Sequence, residues 1–163
     1  MKRELILIRH TKSSWNDLSL ADFDRPLKKD RTDDARNMAA HLKKLRAEPD
    51  LIICSPAKRT RQTVEYFCDN LDYPHNKVQF DERIYESSAD DILSVIRETE
   101  DAIERLIVIG HNPSLTHLAN YFAVSVPDLP TTGVAWLVFD SLDWQLYKPT
   151  PVQLKAFLTP KTI

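Results

Sequence analysis

Glu4-Leu5-Ile6-Leu7-Ile8-Arg9-His10-Thr11-Lys12 joins four consecutive aliphatic side chains directly to a guanidinium and an imidazole. Leu5 to Ile8 show no polar alternation, which is the pattern of a strand covered on both faces, as in a parallel sheet. In open α/β sheets ligands bind just beyond the carboxyl ends of strands, so Arg9 and His10 fall where chemistry is usually done. An isolated Arg-His pair is equally what a strand looks like when it surfaces into a loop. The endings of the other strands decide between the two readings.

Leu51-Ile52-Ile53-Cys54 ends at Ser55-Pro56-Ala57-Lys58-Arg59, and Leu106-Ile107-Val108-Ile109 ends at Gly110-His111. If these strands share a sheet, two imidazoles and two guanidiniums meet at one rim. Ser55 as N-cap and Pro56 as first helical residue would open one helix. Asn112 and Pro113 would open another, running to about Ala123. Both N-termini then favour an anion at the rim. Arginine forks match phosphate oxygens and keep their charge at any relevant pH. A neutral imidazole is a competent nucleophile near pH 7. The set suits binding a phosphoryl group and moving it onto nitrogen.

Between these motifs the chain alternates strand and helix patterns. A polar loop from Thr11 to Asp24 leads through Arg25-Pro26-Leu27 to a helix expected over Thr32 to Arg46, with Ala35, Met38, Ala39, Leu42 and Leu45 inward. The helix after Pro56 buries Thr60, Val64, Phe67, Cys68 and Leu71, and Lys77 to Phe80 suggests an edge strand. Ser88 and Asp91 form a capping-box-like start to a helix that points Ala89, Ile92, Leu93 and Ile96 inward. After the proline-broken loop at Pro127 and Pro130, Val134 to Phe139 and Trp144 to Tyr147 read as an antiparallel hairpin. The expected fold is α/β, one domain over residues 1–163, with a mostly parallel sheet flanked by helices and an antiparallel C-terminal strand pair.

Composition narrows the function classes. With 22 Lys plus Arg against 24 Asp plus Glu, the net charge of −2 supplies no basic field for nucleic acid. No apolar run approaches the roughly 18 residues of a membrane span, and no signal segment precedes the first strand, so a cytoplasmic protein is expected. Cys54 and Cys68, the two cysteines, read as reduced packing residues. His111 and His117 lack the spacing of a helical metal pair, and no Cys/His cluster exists, so neither a metal nor another cofactor is expected.

Strand-Arg9-His10, Ser55-Pro-x-x-Arg59 opening the next helix, and Gly110-His111 after a strand together resemble the histidine phosphatase (phosphoglycerate mutase-like) superfamily. The short length, the Arg25-Pro26-Leu27 segment and Pro130-Thr131-Thr132-Gly133-Val134-Ala135 look like its SixA branch of phosphohistidine phosphatases. The resemblance implies His10 as the phosphorylated nucleophile, Arg9 and Arg59 on the phosphoryl oxygens, and His111 as the second imidazole. It implies a phosphohistidine-bearing protein, such as a phosphorelay component, as partner; the oligomeric state stays open. Glu86 lies in the segment where family members that cleave alkyl phosphates carry a general acid. Two positions depart from the pattern. Thr11 stands where the superfamily usually has Gly, a poor fit if the backbone there is left-handed. Leu27-Lys28-Lys29-Asp30-Arg31 replaces Leu-Thr-x-x-Gly, leaving Asp30 or Thr32 to cap the first helix.

Of the remaining polar residues, Arg25 is expected to anchor its loop by a salt bridge, Asn16 to stabilise the same loop, and Arg61, His41, His75 and His117 to stand aside. Two other functions compete with phosphohistidine hydrolysis. One is a phosphomonoesterase acting on a sugar phosphate or nucleotide; the other is a binding module that grips phosphorylated partners without turnover. His10 argues against the module, which has no use for a nucleophile. The short connection between Lys77–Phe80 and Ala89 leaves no room for a sizeable lid, and an open cleft suits a protein substrate better than a small metabolite.

Overall fold

The structure is a computed structural model that describes residues 2–163. Strands β1 (Lys2–Arg9), β2 (Leu51–Cys54), β3 (Gln79–Phe80), β4 (Arg105–Gly110), β5 (Val134–Asp140) and β6 (Val152–Leu158) form one sheet in the order β3-β2-β4-β1-β5-β6. The pairs β3–β2, β2–β4 and β4–β1 are parallel; β1–β5 and β5–β6 are antiparallel. Helices α1 (Thr32–Lys44), α2 (Lys58–Asn70), α3 (Ala89–Arg97) and α4 (Ser114–Phe122) cover both faces, as the α/β expectation requires.

The aliphatic run in β1 explains the three layers. Ile6 and Ile8 face α1 and α2 with Met38, Leu42, Phe67 and Ile107. Leu5 and Leu7 face α3 and α4 with Ile92, Ile96, Leu115 and Val108. All four side chains of the run are fully buried, each worth about 1.5–3 kcal/mol by transfer from water. Both cysteines are free and buried among these side chains. Burial pushes the Cys54 thiol up and holds that of Cys68 at about 11, so neither is a reactive thiolate at neutral pH. No described helix is long and apolar enough to cross a membrane.

Local signals place most elements, and five readings need correction. One is the start of α4, which begins at Ser114 with Pro113 as its N-cap, so Asn112 is not the cap and Pro113 is not the first helical residue. The partner of β5 is Val152–Leu158, not Trp144–Tyr147. Trp144 is a core residue without a strand, its indole N–H donating to the Ile103 carbonyl at 2.7 Å, and Leu146 has a left-handed φ of 47° that breaks extended backbone. Leu45 is 41% exposed because α1 ends at Lys44 and Arg46 turns left-handed at φ 56°. Neither Asp30 nor Thr32 caps α1; a 3₁₀ turn at Lys29–Arg31 feeds it, and its N-cap, Arg31, makes no side-chain cap. Ser55 and Pro56 precede α2, whose N-cap is Ala57, so Ser55 is free for another partner. The Ser88–Asp91 capping box at α3 is present in both directions.

Candidate active site

Sheet register assembles the site. Arg9 pairs with Gly110 across β1 and β4, and Cys54 with Ile109 across β2 and β4. The next residue of each strand therefore enters one rim: His10, whose N–H donates to the Gly110 carbonyl at 3.1 Å, His111, and Ser55, whose N–H donates to the Ile109 carbonyl at 3.0 Å. The two imidazole rings lie 5.2 Å apart. Arg59, in the first turn of α2, brings Nη2 to 3.3 Å from His111 Nδ1. Arg9, His10, Arg59 and His111 thus meet as the strand endings require.

Hydrogen bonds fix which nitrogens are free. His10 Nδ1 lies 2.7 Å from the Thr11 carbonyl, which can only accept, so Nδ1 carries the proton and Nε2 keeps its lone pair. Burial, reinforced by the charges of Arg59, Arg9 and Arg25, lowers the His10 pKa to about 4. Burial, His10 and Arg59 lower that of His111 to about 3. Both rings are neutral near pH 7, and His10 presents an unprotonated nitrogen beside two cations.

The arginines are unequally engaged. Arg9 Nη1 donates to the Leu129 carbonyl at 3.0 Å, while its Nε is buried without a partner. Burial first, and then the charge of Arg59, lower the Arg9 pKa against the pull of Asp128. Arg59 donates from Nη1 to the Asp22 carbonyl at 2.8 Å and from Nη2 to Asp22 Oδ2 at 3.1 Å. Asp22 also accepts from Tyr85 Oη at 2.7 Å and from Arg25 Nη1 at 3.1 Å. Burial alone would raise its pKa, but the Tyr85 hydrogen bond and the Arg59 charge prevail and hold it at about 2. The Tyr85 ring stands between Phe23, at 5.1 Å, and His111, at 5.5 Å. Asp22 and Tyr85 carry no motif; their signal is spatial, residues 63 apart joining two loops at Arg59. The cleft is not as open as the sequence suggested: His10 and Arg59 are each 7% exposed.

Glu86 does not join the group. It is exposed, adopts a left-handed φ of 50°, and forms no hydrogen bond or ion pair among the described residues. Thr11 resolves the question raised by the missing glycine, since its φ is not positive. It is fully buried, donating its N–H to Thr63 Oγ1 at 3.0 Å and sharing a 2.9 Å hydrogen bond with Thr132 Oγ1. The left-handed residue is Thr132 instead, at φ 64°; its N–H reaches the Arg9 and His10 carbonyls at 3.1 and 3.0 Å. A β-branched residue in that conformation stores strain at the site.

Arg25 anchors the first loop as expected, bonding Asp22, Ser13 Oγ and the Ser14 carbonyl, with Trp15 stacked 3.2 Å from its guanidinium. Exposed Asn16 takes part through its backbone N–H, which donates to Ser14 Oγ. Arg61 is exposed and lies over Phe80, His75 pairs with Asp69, and His117 is exposed on α4. A cavity of about 750 Å³ is lined by Leu20, Leu27 and Tyr66 and holds none of the four rim residues.

An uncharacterized chloroplastic protein of Arabidopsis thaliana is 34% identical over 154 residues, spanning 89% of this chain and 70% of its own length. Among solved structures, the SixA of Agrobacterium tumefaciens is 27% identical, with a TM-score of 0.78 over 97% of this chain and 98% of its own. A protein histidine phosphatase SixA complexed with tungstate (21% identical) has a TM-score of 0.81 over 97% of each chain. A mycobacterial glucosyl-3-phosphoglycerate phosphatase, 14% identical, shares the fold with a TM-score of 0.70 over 94% of this chain and 98% of its own. The histidine phosphatase superfamily (branch 1) matches residues 5–119, from the strand that delivers His10 to the helix behind His111, and the chain belongs to that superfamily.

Proposed function

We propose that this phosphatase hydrolyses phosphohistidine on a protein, through a covalent phosphoryl group on His10. His10 Nε2 attacks phosphorus while the P–N bond to the substrate imidazole breaks, and the departing ring takes a proton from water. Water then attacks the phosphorus on His10, releasing inorganic phosphate and restoring the neutral imidazole. Arg9 and Arg59 hold the phosphoryl oxygens as negative charge builds on them, and His111 donates the third contact.

The observation that carries the substrate choice is the state of the carboxylates. An alkoxide leaves only with proton donation, which demands a carboxylic acid in place. The carboxylate that hydrogen-bonds within the group, Asp22, stays ionised down to about pH 2. Glu86 lies exposed, outside the group. An imidazole is a far less basic leaving group than an alkoxide and needs no such acid. The likeness to SixA proteins supports the same substrate class.

The test compares phosphohistidine, phosphoramidate, aryl phosphate and sugar phosphates at equal concentration, with and without EDTA. Faster turnover of P–N and aryl substrates is expected, unchanged by the chelator, with an acid-labile label that His10→Ala fails to form. If sugar phosphates are turned over best and Glu86→Gln abolishes that activity, the small-molecule reading replaces this one.

A further inference from the structure

The hydrogen bonds around His111 cannot all be satisfied at once. Arg59 Nη2 can only donate, so the His111 Nδ1 it approaches at 3.3 Å must accept, and the ring proton sits on Nε2. Nε2 lies 2.8 Å from Ser55 Oγ and therefore donates to it. Ser55 is fully buried, and its Oγ also accepts, at 3.4 Å, from the Ala57 N–H. The hydroxyl proton is then left without an acceptor among the described residues. Were the serine to donate instead, Nδ1 would carry a proton aimed at the donors of Arg59. Among the described residues, either arrangement leaves one donor unmatched: the hydroxyl of fully buried Ser55, or the ring N–H of half-buried His111, and the first of these costs free energy.

An oxyanion in the rim removes the conflict. It draws the Arg59 donors onto its own oxygens and offers His111 Nδ1 an acceptor. The ring proton can then sit on Nδ1, Nε2 becomes an acceptor, and the Ser55 hydroxyl donates to it while still accepting from Ala57. The ring N–H of His111, the Ser55 hydroxyl and the Ala57 N–H are then all matched.

We propose that Ser55 is the positioning residue that sets which nitrogen of His111 carries the proton, its hydroxyl changing from acceptor to donor when an oxyanion enters the rim. The inference rests on reading the rim as a phosphoryl site. The reversal turns His111 from an acceptor, which would repel a phosphoryl oxygen, into a donor to it. The ring stays neutral throughout.

Nitrogen NMR of imidazole-labelled native protein, free and with orthovanadate or inorganic phosphate, reads the protonated nitrogen directly. A proton on Nε2 in the free protein and on Nδ1 in the complex is expected. Binding without a change of protonated nitrogen overturns the proposal alone; failure of both anions to bind overturns the phosphoryl reading with it. Ser55→Ala should weaken vanadate binding about five- to tenfold, the equivalent of one hydrogen bond, with its unfolding midpoint near that of the native chain. A folded variant that binds vanadate as tightly as the native chain overturns the assignment.

Discussion

The two rims of the sheet carry similar charged residues in opposite states. At the amino ends of the strands, Arg105 spends every nitrogen: Nε and Nη2 on Glu4 Oε2 at 3.2 and 2.7 Å, Nη1 on the Arg46 and Glu48 carbonyls at 3.0 Å. Glu4 in turn accepts from the Trp136 indole at 3.0 Å and faces Lys155. At the carboxyl ends, Arg9 makes one hydrogen bond, to a carbonyl, and Arg59 makes two to Asp22 and one to His111, leaving Arg9 Nε and Nη2 and Arg59 Nε without a partner among the described residues. A saturated guanidinium is a structural strut. An underspent one, beside neutral imidazoles and a helix start, suits the anion that the proposed function requires.

The contrast predicts opposite phenotypes for the same substitution. Arg59→Ala is expected to lower kcat/KM about 10²–10³-fold, the usual effect of deleting one transition-state charge partner, with little change in denaturant midpoint. A near-normal rate would move Arg59 out of the reaction. Arg105→Ala should do the reverse, costing about 1–3 kcal/mol of stability by leaving Glu4 and two carbonyls short of donors. Its kcat/KM per folded molecule should equal that of the native chain, and a rate loss without destabilisation would contradict the division.

Acid separates the rims further. As the nucleophile of the proposed reaction His10 would attack as the neutral ring, and its pKa is lowered to about 4, so the acid limb of kcat/KM should fall near pH 4, well below the ordinary histidine value. Both histidines are depressed in the folded state, so between pH 6.5 and 4 the unfolded chain binds the extra protons. Stability should therefore drop as pH falls through that window and level off only below about pH 3. Denaturant titrations at pH 7 and 4.5 check the sign, and a rate limb near 6.5 would place His10 in water-like surroundings. The smallest effect belongs to Asp22→Asn. Removing the negative charge that occupies Arg59 should tighten vanadate inhibition about two- to fivefold, since like charges then no longer compete at the fork. Weaker inhibition would mean that Asp22 mainly orients Arg59.

What was legible in the sequence were groups fixed by strand endings. Arg9, His10 and His111 follow unbroken aliphatic runs, Arg59 sits one helical turn past another, and all four meet at the rim. Asp22 and Tyr85 lie in irregular loops, where neither period nor cap marks a partner 63 residues away. Ser55 was legible only as a local cap, because Ser before Pro is a common helix start, whereas its observed partner is a ring 56 residues distant. The strand Val152–Leu158 was obscured by the aromatic Trp144–Tyr147 segment, nearer to β5 and equally apolar. Burial of Trp144 and Leu146 uses that apolar character in the core without pairing.

The Glu4–Arg105 pair has a further consequence, for the folding search. Leu-Ile-Leu-Ile buries aliphatic side chains on both faces, so sliding β1 by one residue along β4 exchanges similar for similar, and hydrophobicity discriminates weakly between alignments. Glu4 sits opposite Arg105 in the native pairing and also contacts Trp136 of β5 and Lys155 of β6. One carboxylate thus acts as an index mark for four strands, penalising any offset by stranding a half-buried charge. Six residues further on, the same alignment sets His10 opposite His111, so a pair remote from the rim proofreads the geometry on which the proposed chemistry depends.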